Sequence, residues 1–402
     1  MWIRHSAPIK GTRLREEIIP YGRQEIDSSD IDAVVDVLRS DWLTQGPAVE
    51  RFERLVADYC GAQYAVAVNS ATSALHIACL TAGLQPGEIL WTSPNTFVAS
   101  ANCALYCGAS PDFVDIDPRS YNLDALCLEV KLEQAARKGR LPKVVLPVHF
   151  AGQPCAMERI AALADQYGFT VIEDASHALG GRYRGTRIGA CSYSAMTVFS
   201  FHPVKIITTG EGGMVLTNCR DYYEKLLRLR SHGITRNPSL MTDPSHGPWY
   251  YEQIELGFNY RMTDIQAALG SSQLSRLDEF VARRQKLALR YDGGLKDLPL
   301  VLPWRNPDDY SALHLYVVRL RGGVSGKSRL KVFEELRAAG INVNLHYIPV
   351  HTQPYYRQIG FKPGDFPRTE EYYDEALSLP LFPGLSESSQ DRVISALKEI
   401  LR

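Results

Sequence analysis

Residues 196–218, MTVFSFHPVKIITTGEGGMVLTN, indicate the fold class and contain the most informative lysine of the chain. The first apolar run predicts a buried strand, and Lys205 stands between it and a glycine-rich turn that leads into a second apolar run. Open α/β sheets bind ligands at their strand ends. An amine held there in partly dry surroundings loses its proton readily and can form a Schiff base. Most lysines are solvated surface residues, so this interpretation depends on further residues nearby.

Helical patterns alternate with short apolar runs from about residue 30 to residue 218, including YAVAV, EILWTS, KVVLPVHF and FTVIED. This alternation predicts an α/β protein with a mixed, mostly parallel sheet covered by helices. A long helix is predicted over about 263–291, and the remaining segments indicate a smaller α+β unit. The predicted organisation is an N-terminal extension (1–18), a large domain (19–262), and a linking helix with a small C-terminal domain (263–402).

The segment VIEDASHALGG places two carboxylates at the end of an apolar strand. Such residues are often only a solvated strand end. Asp174 in this position could instead pair with a pyridine nitrogen and keep it protonated, so that the ring withdraws electrons from a carbanion. His177 lies three residues on and could hydrogen-bond the same ligand, or it could cap the turn.

The segment VNSATSALHIA follows the strand YAVAV and opens a helix. Free amides of Ala71 and Thr72 at the positive end of that helix could hold a phosphate, although Ser70 alone would be taken for an N-cap. An aldehyde-reactive Lys205, a ring partner at Asp174 and a phosphate site together match the parts of pyridoxal 5′-phosphate (PLP). Phe97 could stack on the ring, or it could be a core residue.

The composition limits the classes of protein to which this chain can belong. There are 44 basic and 45 acidic residues and the net charge is −1, so no global field favours nucleic acid or an anionic membrane. The first twenty residues interleave charges with apolar residues, which fits neither a signal peptide nor an anchor. The eight cysteines show no CxxC pair and no metal-like spacing to a histidine, so we expect no metal site and reduced core thiols in a cytoplasmic protein.

The motifs NSATSALH, SPNTFVASAN, EDASHALGG, FSFHPVK, TTGEGG and GFNYRMTD resemble the successive motifs of the DegT-type sugar-nucleotide aminotransferases. The similarity extends over nearly the whole chain. It implies a PLP-dependent transferase of fold-type I that acts as a homodimer, with an active site shared between subunits.

The resemblance also implies roles for individual residues. Lys205 would form the Schiff base, Asp174 would bind the pyridine nitrogen, Phe97 would stack on the ring, and His177 would lie near the ring hydroxyl. The implied phosphate ligands are Ala71, Thr72, Ser200 and, from the partner subunit, Asn259. The implied sugar-nucleotide contacts are Tyr21, Trp42, Leu43, Thr44, His314, Leu315 and Tyr316.

The implied reaction moves an amino group from L-glutamate to C4 of a UDP-linked 4-keto-6-deoxy-N-acetylhexosamine. The motifs SDWLTQGP and LHYIPVHTQPYY most resemble the branch of pseudaminic acid biosynthesis. A sister aminotransferase for a D-configured keto sugar and a non-catalytic regulator that keeps the fold are the alternatives. The family's dehydratases carry histidine in place of the Schiff-base lysine, so Lys205 argues against that branch. A nucleotide-sugar dehydrogenase would need a phosphate-binding glycine pattern near the start of the chain, and this sequence has none.

Overall fold

The computed structural model describes residues 18–320 and 326–401. Most of the predicted N-terminal extension therefore lies outside the described residues. The helices are α1 (Ser28–Leu38), α2 (Pro47–Cys60), α3 (Ala71–Thr81), α4 (Ala99–Tyr106), α5 (Ala125–Arg137), α6 (Met157–Tyr167), α7 (Arg220–Arg230), α8 (Asp264–Leu274), α9 (Leu277–Leu295), α10 (Arg329–Ala338), α11 (Pro354–Gln358), α12 (Pro367–Glu375) and α13 (Glu387–Ile400).

The strands are short and mostly apolar. They are β1 (Tyr64–Val68), β2 (Ile89–Thr92), β3 (Ser110–Phe113), β4 (Val144–Leu146), β5 (Thr170–Asp174), β6 (Arg182–Tyr183), β7 (Thr186–Arg187), β8 (Met196–Ser200), β9 (Gly213–Thr217), β10 (Ile234–Thr235), β11 (Glu252–Gln253), β12 (Leu300–Val301), β13 (Tyr316–Leu320) and β14 (Ala376–Leu379).

A seven-stranded sheet in the order β1-β9-β8-β5-β4-β2-β3 forms the centre of the larger unit. Only β9 is antiparallel to its neighbours, and the other strands of this sheet run parallel. Apolar clusters cover the sheet on both faces. The predicted α/β class with a mixed, mostly parallel sheet is confirmed. Parallel strands bring their carboxyl ends to one edge, which places the ends of β1, β4, β5 and β8 together.

A smaller unit follows, built on the antiparallel sheet β12-β13-β14. Its core contains residues of α9, α10 and α13, including Leu287, Tyr291 and Val393. Ile19 also packs in this core and bridges Ile341, so the start of the described chain is attached to the smaller unit.

The single long helix predicted over about 263–291 is wrong, because the structure has two helices there, α8 and α9. The backbone of Arg276, the N-cap of α9, leaves helical geometry at φ −106° and ψ 6°. Its guanidinium contacts Asp27 at 2.9 Å and Asp30 at 2.5 Å, which ties the break to α1.

No helix within the described ranges is long and apolar enough to cross a membrane. In the same ranges, no group of three or more His, Cys, Asp or Glu side chains is placed to hold a metal ion. All eight cysteines are free thiols, and Cys219 is exposed rather than in the core.

Candidate active site

Lys205 lies in the segment that connects the end of β8 at Ser200 to the start of β9 at Gly213. Within the part of the chain that the structure describes, its amine makes no hydrogen bond or ion pair. Burial lowers the pKa of Lys205 to about 8, and the nearby Asp174 carboxylate offsets part of this effect. A larger fraction of this amine is therefore neutral at neutral pH than of an ordinary lysine, and it has no competing partner.

The Asp174 carboxylate lies at the carboxyl end of β5 and is almost fully buried. Oδ1 accepts the backbone N–H of Ser176 at 3.1 Å, and Oδ2 accepts the hydroxyl of Ser100 at 2.7 Å. Each oxygen keeps acceptor capacity for one more donor. A buried carboxylate held in this way fits the protonated nitrogen of a pyridine ring.

Glu173, the other carboxylate of the EDASHALGG motif, points to the opposite face of the sheet, as alternation along β5 requires. It is bound there by His149 at 2.7 Å and by the hydroxyls of Ser194 and Thr197. Burial by itself would raise the pKa of Glu173, yet these hydrogen bonds hold it below its ordinary value. Of the two carboxylates, only Asp174 is available to a ligand.

The first turn of α3 forms a cradle for an anion. The Ser70 side chain caps the helix by accepting the N–H of Ser73, which leaves the amides of Ala71 and Thr72 for an external acceptor. Gly213 of β9 lies against this turn so closely that a Cβ there would be 2.5 Å from the carbonyl carbon of Ser70.

Ser200 joins this cradle through the sheet register. It is paired with Gly213 across β8 and β9, and antiparallel partners project to the same face. The structure thus brings the hydroxyl of Ser200 to the side of the sheet where α3 begins. Backbone amides, a hydroxyl and the positive end of a helix are suitable groups for a phosphate.

Phe97 is 57% exposed, although it lies just before α4 at the strand edge. Its ring centroid is 6.2 Å from that of Tyr347. A large aromatic ring left open at this position is available to stack on a planar ligand, and it is not the core residue that its sequence context also allowed.

His177 is buried, and both of its ring nitrogens are engaged. Nδ1 accepts the backbone N–H of Ala151 at 3.3 Å, and Nε2 lies 3.0 Å from the hydroxyl of Tyr347. His314 packs against it with ring centroids 4.4 Å apart. Burial and the charge of Lys205 lower the pKa of His177 well below its ordinary value, so the imidazole is neutral.

The other predicted sugar-nucleotide contacts fall into three places. Tyr21 is half-buried, with its ring 5.7 Å from that of His346. Trp42, Leu43 and Thr44 are exposed beside the start of α8, where Leu43 accepts the N–H of Asp264.

Leu315 and Tyr316, by contrast, are core residues. Tyr316 is 0% exposed and donates its hydroxyl to Asp292 in the smaller unit. The side chains of this pair are therefore packing groups. Of the predicted stretch 314–316, only His314 is brought next to His177.

Asn259 lies in an exposed position, and its backbone forms a bridge with Ser231 beside α7. No side-chain hydrogen bond of Asn259 occurs within residues 18–320 and 326–401. Its backbone carbonyl accepts a hydrogen bond from the side-chain amide of Asn69 at 3.5 Å, one residue before the Ser70 cap of α3.

Tyr347, His346 and Ser100 belong to the site but were not predicted individually. His346 is buried, with its Nδ1 2.8 Å from the hydroxyl of Ser378, and the charge of Lys205 adds to burial in lowering its pKa to about 3. The signal for the first two was the segment LHYIPV, where histidine and tyrosine stand side by side. Nothing local marks Ser100.

The arrangement fits PLP in each of its parts. A free amine lies near a buried carboxylate, an anion cradle lies beside Ser200, and an exposed aromatic ring lies close by. These groups suit an aldehyde, a pyridine nitrogen, a phosphate and a ring face.

Comparisons with known proteins agree with this assignment. The DegT/DnrJ/EryC1/StrS aminotransferase family matches residues 24–398. The spore coat polysaccharide biosynthesis protein SpsC of Bacillus subtilis (strain 168) is 40% identical over 391 residues, which cover 96% of this chain and 98% of SpsC.

Solved structures are similar over nearly the whole chain as well. PseC of Helicobacter pylori, an aminotransferase of pseudaminic acid biosynthesis, has a TM-score of 0.86 at 30% identity and covers 96% of this chain and 99% of its own. The PLP form of the putative sugar aminotransferase Spr1654 from Streptococcus pneumoniae has a TM-score of 0.85 at 29% identity, with coverage of 96% and 100%. This chain therefore belongs to the DegT/DnrJ/EryC1/StrS aminotransferase family and is a PLP-dependent sugar aminotransferase.

Proposed function

We propose that this enzyme transfers the amino group of L-glutamate to C4 of a UDP-linked keto sugar in pseudaminic acid biosynthesis. The substrate would be UDP-2-acetamido-2,6-dideoxy-β-L-arabino-hexos-4-ulose and the product UDP-4-amino-4,6-dideoxy-N-acetyl-β-L-altrosamine. The aminotransferase chemistry rests on one observation: the Lys205 amine is partly buried beside Asp174, and it has no hydrogen-bond or ion-pair partner among the described residues. The choice of sugar rests on the motifs SDWLTQGP and LHYIPVHTQPYY and on the likeness to PseC.

Different residues at the strand ends bind different parts of the cofactor. When bound, PLP supplies the aldehyde that takes up the amino group and a ring that withdraws electrons from the reacting carbon. Asp174 holds the proton on the pyridine nitrogen. The amides of Ala71 and Thr72 and the hydroxyl of Ser200 bind the phosphate, and Phe97 covers a face of the ring.

Lys205 has two roles in succession. Its neutral amine first binds the cofactor and is displaced when the amino donor arrives. The freed Nζ would act as the base and acid of the reaction, taking up a proton from the α-carbon of glutamate and delivering one to the sugar carbon that receives the amino group. A pKa of about 8 suits both tasks, because the amine takes up and releases a proton near neutral pH.

A homodimer with a shared site is part of the proposal. Asn259 is exposed, and its side chain makes no hydrogen bond within the described residues, so its amide is available to a phosphate held by a partner subunit. The hairpin β10–β11 nearby carries exposed apolar side chains at Trp249, Tyr251 and Leu256, which favours an interface there. We also propose that the reaction occurs in the cytoplasm.

His314 and Tyr21 are the proposed sugar-nucleotide contacts nearest the catalytic groups, since each packs against a buried histidine of the site. The exposed segment 42–44 is proposed as a contact for the nucleotide. A sister aminotransferase for a different keto sugar, D-configured, is the second candidate. The observation in favour of a sister enzyme is the 40% identity to SpsC, which is named for spore coat polysaccharide biosynthesis and not for pseudaminic acid.

Two half-reactions followed by visible absorbance test both candidates. L-glutamate should bleach the absorbance of the PLP-loaded protein, and the L-arabino keto sugar should restore it. Restoration by a D-configured UDP-4-keto sugar alone would support the second candidate. If glutamate left the absorbance of the loaded protein unchanged, glutamate as amino donor would be excluded.

A further inference from the structure

The hydrogen bonds of His177 fix which of its nitrogens carries the proton. The backbone N–H of Ala151 can only donate, so Nδ1 must accept. The Ala151 loop is itself held, because the carbonyl of Ala151 accepts the N–H of His314 at 2.9 Å. A neutral imidazole with an accepting Nδ1 carries its hydrogen on Nε2.

This tautomer determines the direction of the bond to Tyr347. The Nε2–H of His177 donates to the phenol oxygen across 3.0 Å, so the hydroxyl hydrogen of Tyr347 is not used in this contact. In the described part of the chain, the hydroxyl has no other hydrogen-bond partner. Burial, with smaller contributions from Asp174 and Tyr21, raises the pKa of Tyr347 above its ordinary value, so the phenol keeps its hydrogen.

The sheet order indicates what this hydrogen faces. The phosphate cradle lies at the ends of β1, β8 and β9, Asp174 ends β5, and Ala151 lies in the loop after β4. In pyridoxal phosphate, the phenolic oxygen and the phosphate arm flank the aldehyde carbon on opposite sides of the axis from ring nitrogen to aldehyde. With the nitrogen at Asp174 and the phosphate at α3, that oxygen falls on the β4 side, where His177 and Tyr347 lie.

We propose that Tyr347, rather than His177, donates the hydrogen bond to the phenolic oxygen of the cofactor, and that His177 is a positioning residue locked by the Ala151 amide. The proposal deepens the assigned function and rests on it. It keeps the expected position of His177 near the ring hydroxyl but assigns the hydrogen bond to Tyr347, because both nitrogens of His177 are already engaged.

The test is a pH titration of the visible absorbance of the PLP-loaded protein. A donor on the phenolic oxygen draws off negative charge and weakens the hold on the proton shared with the Lys205 nitrogen. Tyr347→Phe should therefore raise the apparent pKa of the chromophore by about one pH unit. His177→Gln, which keeps an N–H for Tyr347, should leave it near the wild-type value.

Tyr356→Phe is the matched control, since its buried hydroxyl binds Asn102 away from the site. An unshifted Tyr347→Phe together with a shifted His177→Gln would overturn the proposal and leave the aminotransferase function intact. If Tyr347→Phe fails to fold, as judged by circular dichroism, the His177→Leu variant replaces it in the test, because leucine has no N–H to donate to Tyr347. The proposal requires a higher apparent pKa of the chromophore in His177→Leu than in His177→Gln. Equal pKa values in the two variants would contradict the proposal.

A failure of the proposed aminotransferase function would give a different result from a failure of the Tyr347 proposal. Wild-type protein that forms no visible chromophore with PLP would overturn the cofactor assignment and this proposal together. Equilibrium titration of the apo-protein provides a second readout, in which Tyr347→Phe should bind PLP more weakly than Tyr356→Phe.

Discussion

Ser100 donates its hydroxyl to Asp174 Oδ2 across 2.7 Å, although 74 residues separate the two in sequence. The hydroxyl of Thr96 lies 2.7 Å from that of Ser100 and supplies the hydrogen bond that Ser100 can still accept. The carboxylate is thus oriented by two linked hydroxyls, one from the first turn of α4 and one from the loop before it. It is held in place before any ligand arrives.

Replacing Asp174 should therefore weaken PLP binding more than replacing Ser100, which orients its carboxylate. Asp174→Asn removes the charge that faces the ring nitrogen and should weaken PLP binding by roughly 2–5 kcal/mol. Ser100→Ala should cost about 1–3 kcal/mol, since the carboxylate loses one donor. Equilibrium titration of apo-protein with PLP measures both, with the exposed Ser275→Ala as control. Equal affinities in all three variants would contradict the assigned role.

Lys205→Ala should abolish the visible absorbance of the PLP-protein complex and the bleaching by glutamate, because no amine remains to bind the aldehyde. Lys205→Arg keeps the positive charge without a comparable nucleophile and should behave in the same way. Stopped-flow spectra of the three proteins make the comparison. Bleaching in the arginine variant would assign the nucleophile to another residue.

The capture of PLP by apo-protein should depend on pH with a midpoint near 8. The pKa of Lys205 is lowered to about 8, so the neutral, reactive amine increases as the pH rises through that value and saturates above it. Asp174→Asn should move the midpoint lower, because the carboxylate is what raises this pKa. The rate of appearance of the visible absorbance reports the midpoint. A value near the ordinary 10.5 would show that Lys205 is not desolvated.

Gly213→Ala should impair the phosphate cradle. Its Cβ would lie 2.6 Å from the amide nitrogen of Ala71, so the first turn of α3 must move, at a cost of about 1–3 kcal/mol in stability and with weaker binding of PLP. Gly293→Ala on α9 meets nothing within 4 Å and should stabilise the fold by about 0.5–1 kcal/mol without changing affinity. Thermal melts and PLP titrations separate the two. A Gly213→Ala protein with wild-type affinity would exclude the cradle.

Mixing two inactive variants tests the shared site. Lys205→Ala and Asn259→Ala homodimers should each have little activity, yet a mixed dimer contains one site with both Lys205 and the partner's Asn259. Activity should therefore return when the two proteins are unfolded together and refolded, or co-expressed. Refolding each variant alone is the control. Without recovery in mixed dimers isolated by two affinity tags, Asn259 would serve its own chain.

Local pattern was enough to predict the α/β class and the position of several candidate site residues at strand ends. Lys205 and Asp174 each follow an apolar run, and parallel strands must end at one edge, so their meeting follows from sequence alone. The same holds for Ala71 and Thr72, which open a helix directly after β1.

Contacts between distant segments had no local signal. Tyr347 and His177 are 170 residues apart, and Gly213 reaches Ala71 only through the antiparallel strand β9. The family resemblance implied a substrate contact for Tyr316, yet its hydroxyl is bound to Asp292 and its side chain is buried. Arg276 interrupts a helical pattern because Asp27 and Asp30 bind it from another helix.

The sequence by itself was enough to predict the class of chemistry of this protein, because the lysine, the carboxylate and the helix start that we propose to hold the cofactor each lie within a few residues of a strand end. Only the tertiary structure decided which nitrogen of His177 accepts a hydrogen bond, that His177 and Tyr347 meet, and that Ser100 contacts Asp174. Those properties depend on hydrogen-bond partners that folding brings together from remote parts of the chain, and periodicity within a segment does not encode them.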